Sequence, residues 1–162
     1  MRAFNGHFVA WRIGDPSGVY PIYSAEGARL VEARWHEKGD SVIHASEHCS
    51  TAMLEKLAHW NGMPPSNQHD IEITIPAGVT YEIVTPDHLP DWHRADGHAA
   101  RAFGHRWFTE GRSAVLLVPS VVARMERNVV INAAHEEFGR IKVGLETPVW
   151  WDERLFGERK LG

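Results

Sequence analysis

The chain has a single cysteine, Cys49, so no disulfide can close within it, and a reducing cytosol suits it. No stretch approaches the ~18 consecutive apolar residues of a membrane span. The opening residues, MRAFNGHFVAWRIG, lack the apolar run of a signal peptide. A cytoplasmic protein with no membrane partner is the expectation. An excess of positive charge is missing too: 17 Lys and Arg stand against 21 Asp and Glu, a formal charge of −4. Nucleic acid would meet no basic field, so direct nucleic-acid binding is not expected. The chain also lacks a glycine-rich phosphate loop, a nucleophile elbow, a CxxC pair and the HExxH helix of zinc hydrolases. No repeat, low-complexity tract or long charge block divides it.

What remains is an ordinary globular composition, with 43% apolar and 23% charged residues over 162 positions. That length suits one domain, 1–162, and is enough to bury a real core. Seven tryptophans and eleven histidines stand out. The first serve both packing and stacking, and the second make the charge sensitive to pH near neutrality.

Along the chain, Phe8–Ile13 reads as an aromatic-rich strand with Arg12 near its end, closed by the turn residues Gly14–Gly18. Residues 25–33 have helical composition interrupted by Gly27. Ser41–Ala45 reads as a buried strand, with Ser46 placed as N-cap of a helix from Glu47 to about Trp60. Met53, Leu54, Leu57 and Ala58 share one face of that helix, and Glu55, near Thr51 and His59, borders a cleft or faces solvent. Gly62–Gln68, with Pro64-Pro65, is a loop. Asp70–Ile75 alternates as a half-buried strand, and Pro76-Ala-Gly78 turns it into Val79–Val84 as a hairpin. His98–Phe108 reads as a helix carrying Phe103 and Trp107. Ala114–Val118 is continuously apolar, the mark of a strand covered on both faces, and Pro119-Ser120 ends it. Val129–Ile131, Ile141–Leu145 and Val149–Trp151 complete the strands. Many short strands with two or three helices give an α+β fold with a mixed sheet.

Few residues suggest chemistry by themselves. His44 and His48 are four apart and His36 lies upstream, but ligand spacing favours non-metal roles, and no metal is expected. Cys49 follows His48 directly, and neighbours on a helix do not face each other, so a buried small residue is the better reading. Arg12 and Arg34 sit beside aromatic residues, where a guanidinium either grips phosphate bidentately or stacks on tryptophan. Glu55 is either a solvated helix glutamate or a site carboxylate. Ser120 is either a turn serine or a site group at a strand end. These residues alone support an anion-binding cleft.

In order, however, the residues resemble the RES-domain proteins, toxins of bacterial toxin–antitoxin pairs named for an arginine, a glutamate and a serine. The matching positions are Trp11-Arg12-Ile13, Gly27-Ala28, Arg34-Trp35, Gly39, His44-Ala45 and Leu54-Glu55. They continue through Leu89-Pro90-Asp91-Trp92, Gly104-His105-Arg106-Trp107, Val118-Pro119-Ser120, Asn128 and Asn132. Asp152-Glu153-Arg154-Leu155-Phe156 closes the pattern, so the resemblance covers roughly 8–157. Side chains stand where the family has two glycines (Glu32, Ala33), His36 replaces an asparagine, His44 a tyrosine and Ala133 a proline.

The resemblance implies an ADP-ribosyltransferase-like fold, mainly antiparallel, and cleavage of the nicotinamide–ribose bond of NAD by water or phosphate. NAD would be substrate, with no metal required. Glu55 would stabilise the oxocarbenium-like ribose, Arg12 and Arg34 would hold the pyrophosphate, and Ser120 would hydrogen-bond ribose or carboxamide. His44 would lie against the nicotinamide. A cognate antitoxin, of helix-turn-helix type, would neutralise the toxin, and a homo-oligomer is allowed. The alternatives are an ADP-ribosyltransferase acting on a specific protein and a catalytically degenerate module that binds a nucleotide or partner.

Overall fold

The computed structural model describes residues 1–61 and 66–156. Pro64-Pro65 of the expected loop, and the last six positions of the chain, lie outside the described residues. In chain order the elements are β1 (Arg2–Ala3), β2 (Phe8–Gly14), α1 (Glu26–Leu30), β3 (Val42–Ser46), α2 (Cys49–His59) and β4 (His69–Ile75). They continue with β5 (Thr80–Ile83), α3 (His98–Thr109), β6 (Val115–Pro119), β7 (Arg127–Asn132), β8 (Lys142–Val143) and β9 (Thr147–Pro148). The strands form one sheet in the order β1-β5-β6-β7-β3-β2-β4-β8, with β9 also on β4. Among the described residues only β5 and β6 pair parallel, and α3 supplies the crossover that parallel neighbours need. The fold is therefore α+β, with a mixed and mainly antiparallel sheet.

Both faces of the sheet are covered. Val115 and Leu117 of β6 join Ile43, Val129 and Ile131 in one core. Leu116 and Val118 join Val42, Val130 and Trp107 in the other. Alternate side chains of a strand point to opposite faces, so a strand between two cores must be apolar at every position. The second core carries α3 and, through Trp35, the segment following α1. A Cβ at Gly104 would run into the Trp35 carbonyl oxygen, so glycine is what lets α3 rest there. On the next residue of α3, His105 Nδ1 lies 3.0 Å from the buried Asp40 carboxylate, which also accepts from the Glu37 N–H at 2.9 Å. The Arg34–Asp40 segment is thus fixed to α3 before any ligand is considered.

Four sequence expectations differ from the structure. Asp70–Ile75 and Val79–Val84 do not form a hairpin: β4 pairs β2 in a seven-residue register, while β5 pairs β1 and β6 at the far end of the sheet. Partner choice between strands is non-local, and the Pro76–Gly78 turn does not determine it. Ser46 does not cap α2; it ends β3, and His48 takes the N-cap position with no side-chain capping bond. The apolar stripe of Met53, Leu54, Leu57 and Ala58 is not the buried face of α2, since Leu54 is 44% exposed and Thr51 and Ala52 are buried instead. Small side chains let the helix lie close on the sheet, and Glu55 shares their face. Finally, the last strands are Lys142–Val143 and Thr147–Pro148, shorter than expected, with none at Val149–Trp151.

Candidate active site

β2 and β3 touch at a single registered pair, Trp11 with Ser46, and then part. Into this opening in an otherwise continuous sheet projects Arg12. Its Nε donates to the Ile22 carbonyl at 2.6 Å and its Nη1 to the His44 carbonyl at 2.7 Å, bridging the two strands. Beside it lies a cavity of about 720 Å³, a size suited to a small-molecule ligand. Its walls come from β2, the segment 27–36, β3, α2 and the strand ends at Pro119 and Asn128.

Three cations line this cavity. Arg12 is held well below its ordinary range by burial, which penalises the charged form. Lys56 is lowered by burial and then by the nearby Arg12, against a smaller opposite pull from Asp15. Arg34 Nη1 donates to the carbonyls of Trp92 and Arg94 at 2.9 and 2.7 Å, which orients the rest of its guanidinium. Among the described residues none of the three has a salt-bridged carboxylate. By contrast Glu32, on the same rim, is neutralised by Arg101 at 3.1 Å. Desolvated cations without counter-ions are costly, and a bound anion relieves that cost.

Glu55 lines the same cavity. Its Oε1 accepts from Ser120 Oγ at 2.6 Å and from Asn128 Nδ2 at 2.7 Å. Both donors converge on one oxygen, and Oε2 takes no hydrogen bond among the described residues. Ser120 has 0% exposure and its hydroxyl also accepts from the Ala123 N–H at 3.0 Å. Its polar contact is therefore with Glu55, behind the cavity wall.

The histidines resolve into a pair. His36 Nε2 lies 3.0 and 2.8 Å from the carbonyls of Ala28 and Val31, so that nitrogen carries the proton and donates to both. His36 Nδ1 and His44 Nε2 lie 2.8 Å apart and share one hydrogen bond. Burial, followed by the neighbouring His36 and Arg12, pushes His44 down to about 3, so it stays neutral and uncharged against the cavity. His48 lies apart at the surface, 2.6 Å from Glu126. Among the described residues no three His, Cys, Asp or Glu side chains are grouped to hold a metal ion. Cys49 is half-buried and free, and burial raises its thiol.

The structure brings Arg12, Arg34, His44 and Glu55 to one cavity and sets Ser120 directly behind Glu55. Sequence reasoning about the site overlooked Asn128 and Lys56. Asn128 had a readable signal: an amide inside the apolar run RNVVIN must find a partner. Lys56 had none, because a lysine next to a glutamate on a helix is usually solvated.

Comparison with known proteins agrees with this architecture. Residues 9–152 match the RES domain. The Prs ADP-ribosylating toxin of Sphingobium sp. (strain YBL2) is 34% identical over 90% of this chain and 94% of its own length. Toxin Res of Pseudomonas putida is 30% identical over 91% of this chain and 99% of its own. A solved M. tuberculosis MbcT–MbcA toxin–antitoxin complex contains a chain with a TM-score of 0.70 at 16% identity, covering 91% of this chain and 86% of that one; at that identity the likeness is one of fold. The match across nearly the whole sequence, with the arginines and the glutamate gathered at one cavity and the serine bonded to that glutamate, places this chain in the RES domain family.

Proposed function

We propose that the protein is a RES toxin that consumes NAD, cleaving the bond between nicotinamide and ribose in the cavity between β2 and β3. The observation that carries this reading is the meeting in one cavity of one fixed carboxylate, Glu55, with three cations that have no salt-bridged carboxylate among the described residues, Arg12, Arg34 and Lys56. A dinucleotide has the matching charges: a pyrophosphate for the cations and a ribose that becomes cationic as the base departs. Breaking the C1′–N bond returns its electron pair to the nicotinamide ring, which leaves neutral. Positive charge develops on C1′ and the ring oxygen, and an anionic Glu55 Oε2 stabilises it. The guanidinium of Arg12, fixed by two carbonyls, and that of Arg34 hold the phosphates so that C1′ lies near Glu55. His44, kept neutral, offers a ring to the nicotinamide without repelling its positive charge. Ser120 acts through Glu55.

Purified protein should lower NAD and release nicotinamide, and Glu55→Ala should reduce the rate by about 100- to 10,000-fold. Undiminished loss of NAD in that variant removes Glu55 from the mechanism.

A second reading is transfer of ADP-ribose to a specific protein, favoured by the name of the 34%-identical relative, an ADP-ribosylating toxin. Labelled NAD separates the two: the label appears as free ADP-ribose or ADP-ribose phosphate in the first, and on a protein band in the second. Neutralisation by a cognate antitoxin, of helix-turn-helix type, belongs to the same proposal. It draws support from the toxin–antitoxin assembly of the structural neighbour. Co-expression of the adjacent gene product should suppress NAD loss.

A further inference from the structure

We propose that Asn128 and Ser46 are positioning residues that aim the Glu55 carboxylate into the cavity, an inference that rests on the NAD-cleaving reading above. A glutamate on a helix has three rotatable side-chain bonds and no intrinsic reason to keep one oxygen free. Here its Oε1 is claimed by the amide of β7 at 2.7 Å and by Ser120 at 2.6 Å.

The donor at Asn128 is itself fixed. An ionised carboxylate only accepts, so the side of the amide facing Glu55 must be the NH2 group. Its carbonyl, Oδ1, then faces Ser46, whose hydroxyl donates to it at 2.8 Å. Ser46 and Asn128 are direct cross-strand partners in the β3–β7 register, so the sheet sets their separation. Ser46 is buried, and its hydroxyl has no other hydrogen-bond partner among the described residues. The result is a directed chain: Ser46 Oγ–H to Asn128 Oδ1, then Asn128 Nδ2–H to Glu55 Oε1. Without the serine, the amide could rotate and present its oxygen to the carboxylate.

Asn128 and Ser46 both line the cavity wall, on the adjacent strands β7 and β3. Their work differs from that of the cations, because it acts on the stabilising carboxylate and leaves the anchoring of the phosphates alone. Turnover should therefore change while substrate affinity does not.

Steady-state NAD consumption by purified full-length protein, measured across pH, tests this. Asn128→Ala should lower kcat by about ten- to a hundredfold, the loss of one hydrogen bond to a charged group, with KM within about twofold. Ser46→Ala should lower kcat in the same direction by a smaller factor. Asn128→Asp is the discriminating variant. At acidic pH the two carboxyls share one proton, and an O–H donor replaces the N–H donor, so turnover approaches that of the unsubstituted protein. As pH rises and that proton is lost, two anions face each other and kcat falls, creating an alkaline limb the unsubstituted protein lacks. A merely structural role would not move the pH profile in this way. Should Asn128→Ala fail to fold, Asn128→Asp still decides. An Asn128→Asp profile that overlays the unsubstituted one, or unchanged kcat in Asn128→Ala, overturns the proposal while leaving the function standing. Unsubstituted protein that leaves NAD intact at every pH overturns the functional reading, and the inference with it.

Discussion

Lys56 follows Glu55 on α2, lines the same cavity, and has no carboxylate partner among the described residues. A helix turns about 100° per residue, so both side chains reach the cavity only because α2 presents a broad side to it. Lys56→Met keeps the stem and removes the charge. It should raise KM for NAD by about tenfold or more, the worth of a charge-assisted contact, and leave kcat within about twofold; kinetics at saturating NAD distinguish the two. His44 gives a prediction on stability. Its folded value near 3 lies below its ordinary 6.5, so the unfolded chain takes up a proton that the folded chain refuses. The stability it contributes is complete above about pH 6.5 and is lost as pH falls toward 3, at up to ~1.4 kcal/mol per pH unit. Denaturant melts of His44→Gln, whose amide can still hydrogen-bond His36, should show a shallower decline between pH 6 and 4 than the unsubstituted protein. The exchange of tyrosine for His44 and of asparagine for His36 looked like two separate departures in the sequence. The 2.8 Å contact makes them one, and a contact between residues eight apart across a turn has no sequence signature.

At the scale of elements, the site is made by strands that fail to pair. The ladder between β2 and β3 is a single pair long, whereas β2 and β4 stay in register throughout, so the opening can only form on one side of β2. The strands covered on both faces were legible, because AVLLV has no polar position for water to reach. The partnership of those strands was not, since alternation says which face a residue takes and nothing about its neighbour in the sheet. The expected hairpin failed for that reason. The burial of α2 was misread because four larger apolar residues outweigh Thr51 and Ala52 in any periodicity count, yet close approach favours the small pair. Gly104 was legible only as part of a Gly-x-x-Trp match; its reason is the Trp35 carbonyl against α3. Gly104→Ala should destabilise the fold by about 1–3 kcal/mol or more, as overpacking of a tight contact does. It should also weaken NAD binding by displacing Arg34, the neighbour of Trp35. A thermal melt together with KM checks both halves, and an unshifted melt would mean that α3 moves away without cost.

The whole molecule carries a net charge of −4, while its cavity holds three cations with no salt-bridged carboxylate among the described residues. With that net charge the long-range field does not draw an anionic dinucleotide in; affinity has to arise inside the cavity, where partly buried cations escape most salt screening. That arrangement carries a desolvation cost that a bound anion removes, so ligand binding and fold stability are coupled through mass action. A ligand at a hundredfold excess over its Kd adds about 2.7 kcal/mol to the stability of the folded state. For a chain of this length that corresponds to roughly 5–10 °C in Tm. Because the active protein would destroy the ligand during a melt, the measurement belongs on Glu55→Ala, which retains all three cations. NAD should raise the Tm of Glu55→Ala by that amount, and nicotinamide alone should raise it far less, since it offers nothing to Arg12, Arg34 or Lys56. Adding Lys56→Met to the Glu55→Ala background should shrink the NAD-induced shift. If it left the shift intact, the dinucleotide would be held elsewhere, and the meeting of carboxylate and cations in one cavity would lose its role in binding.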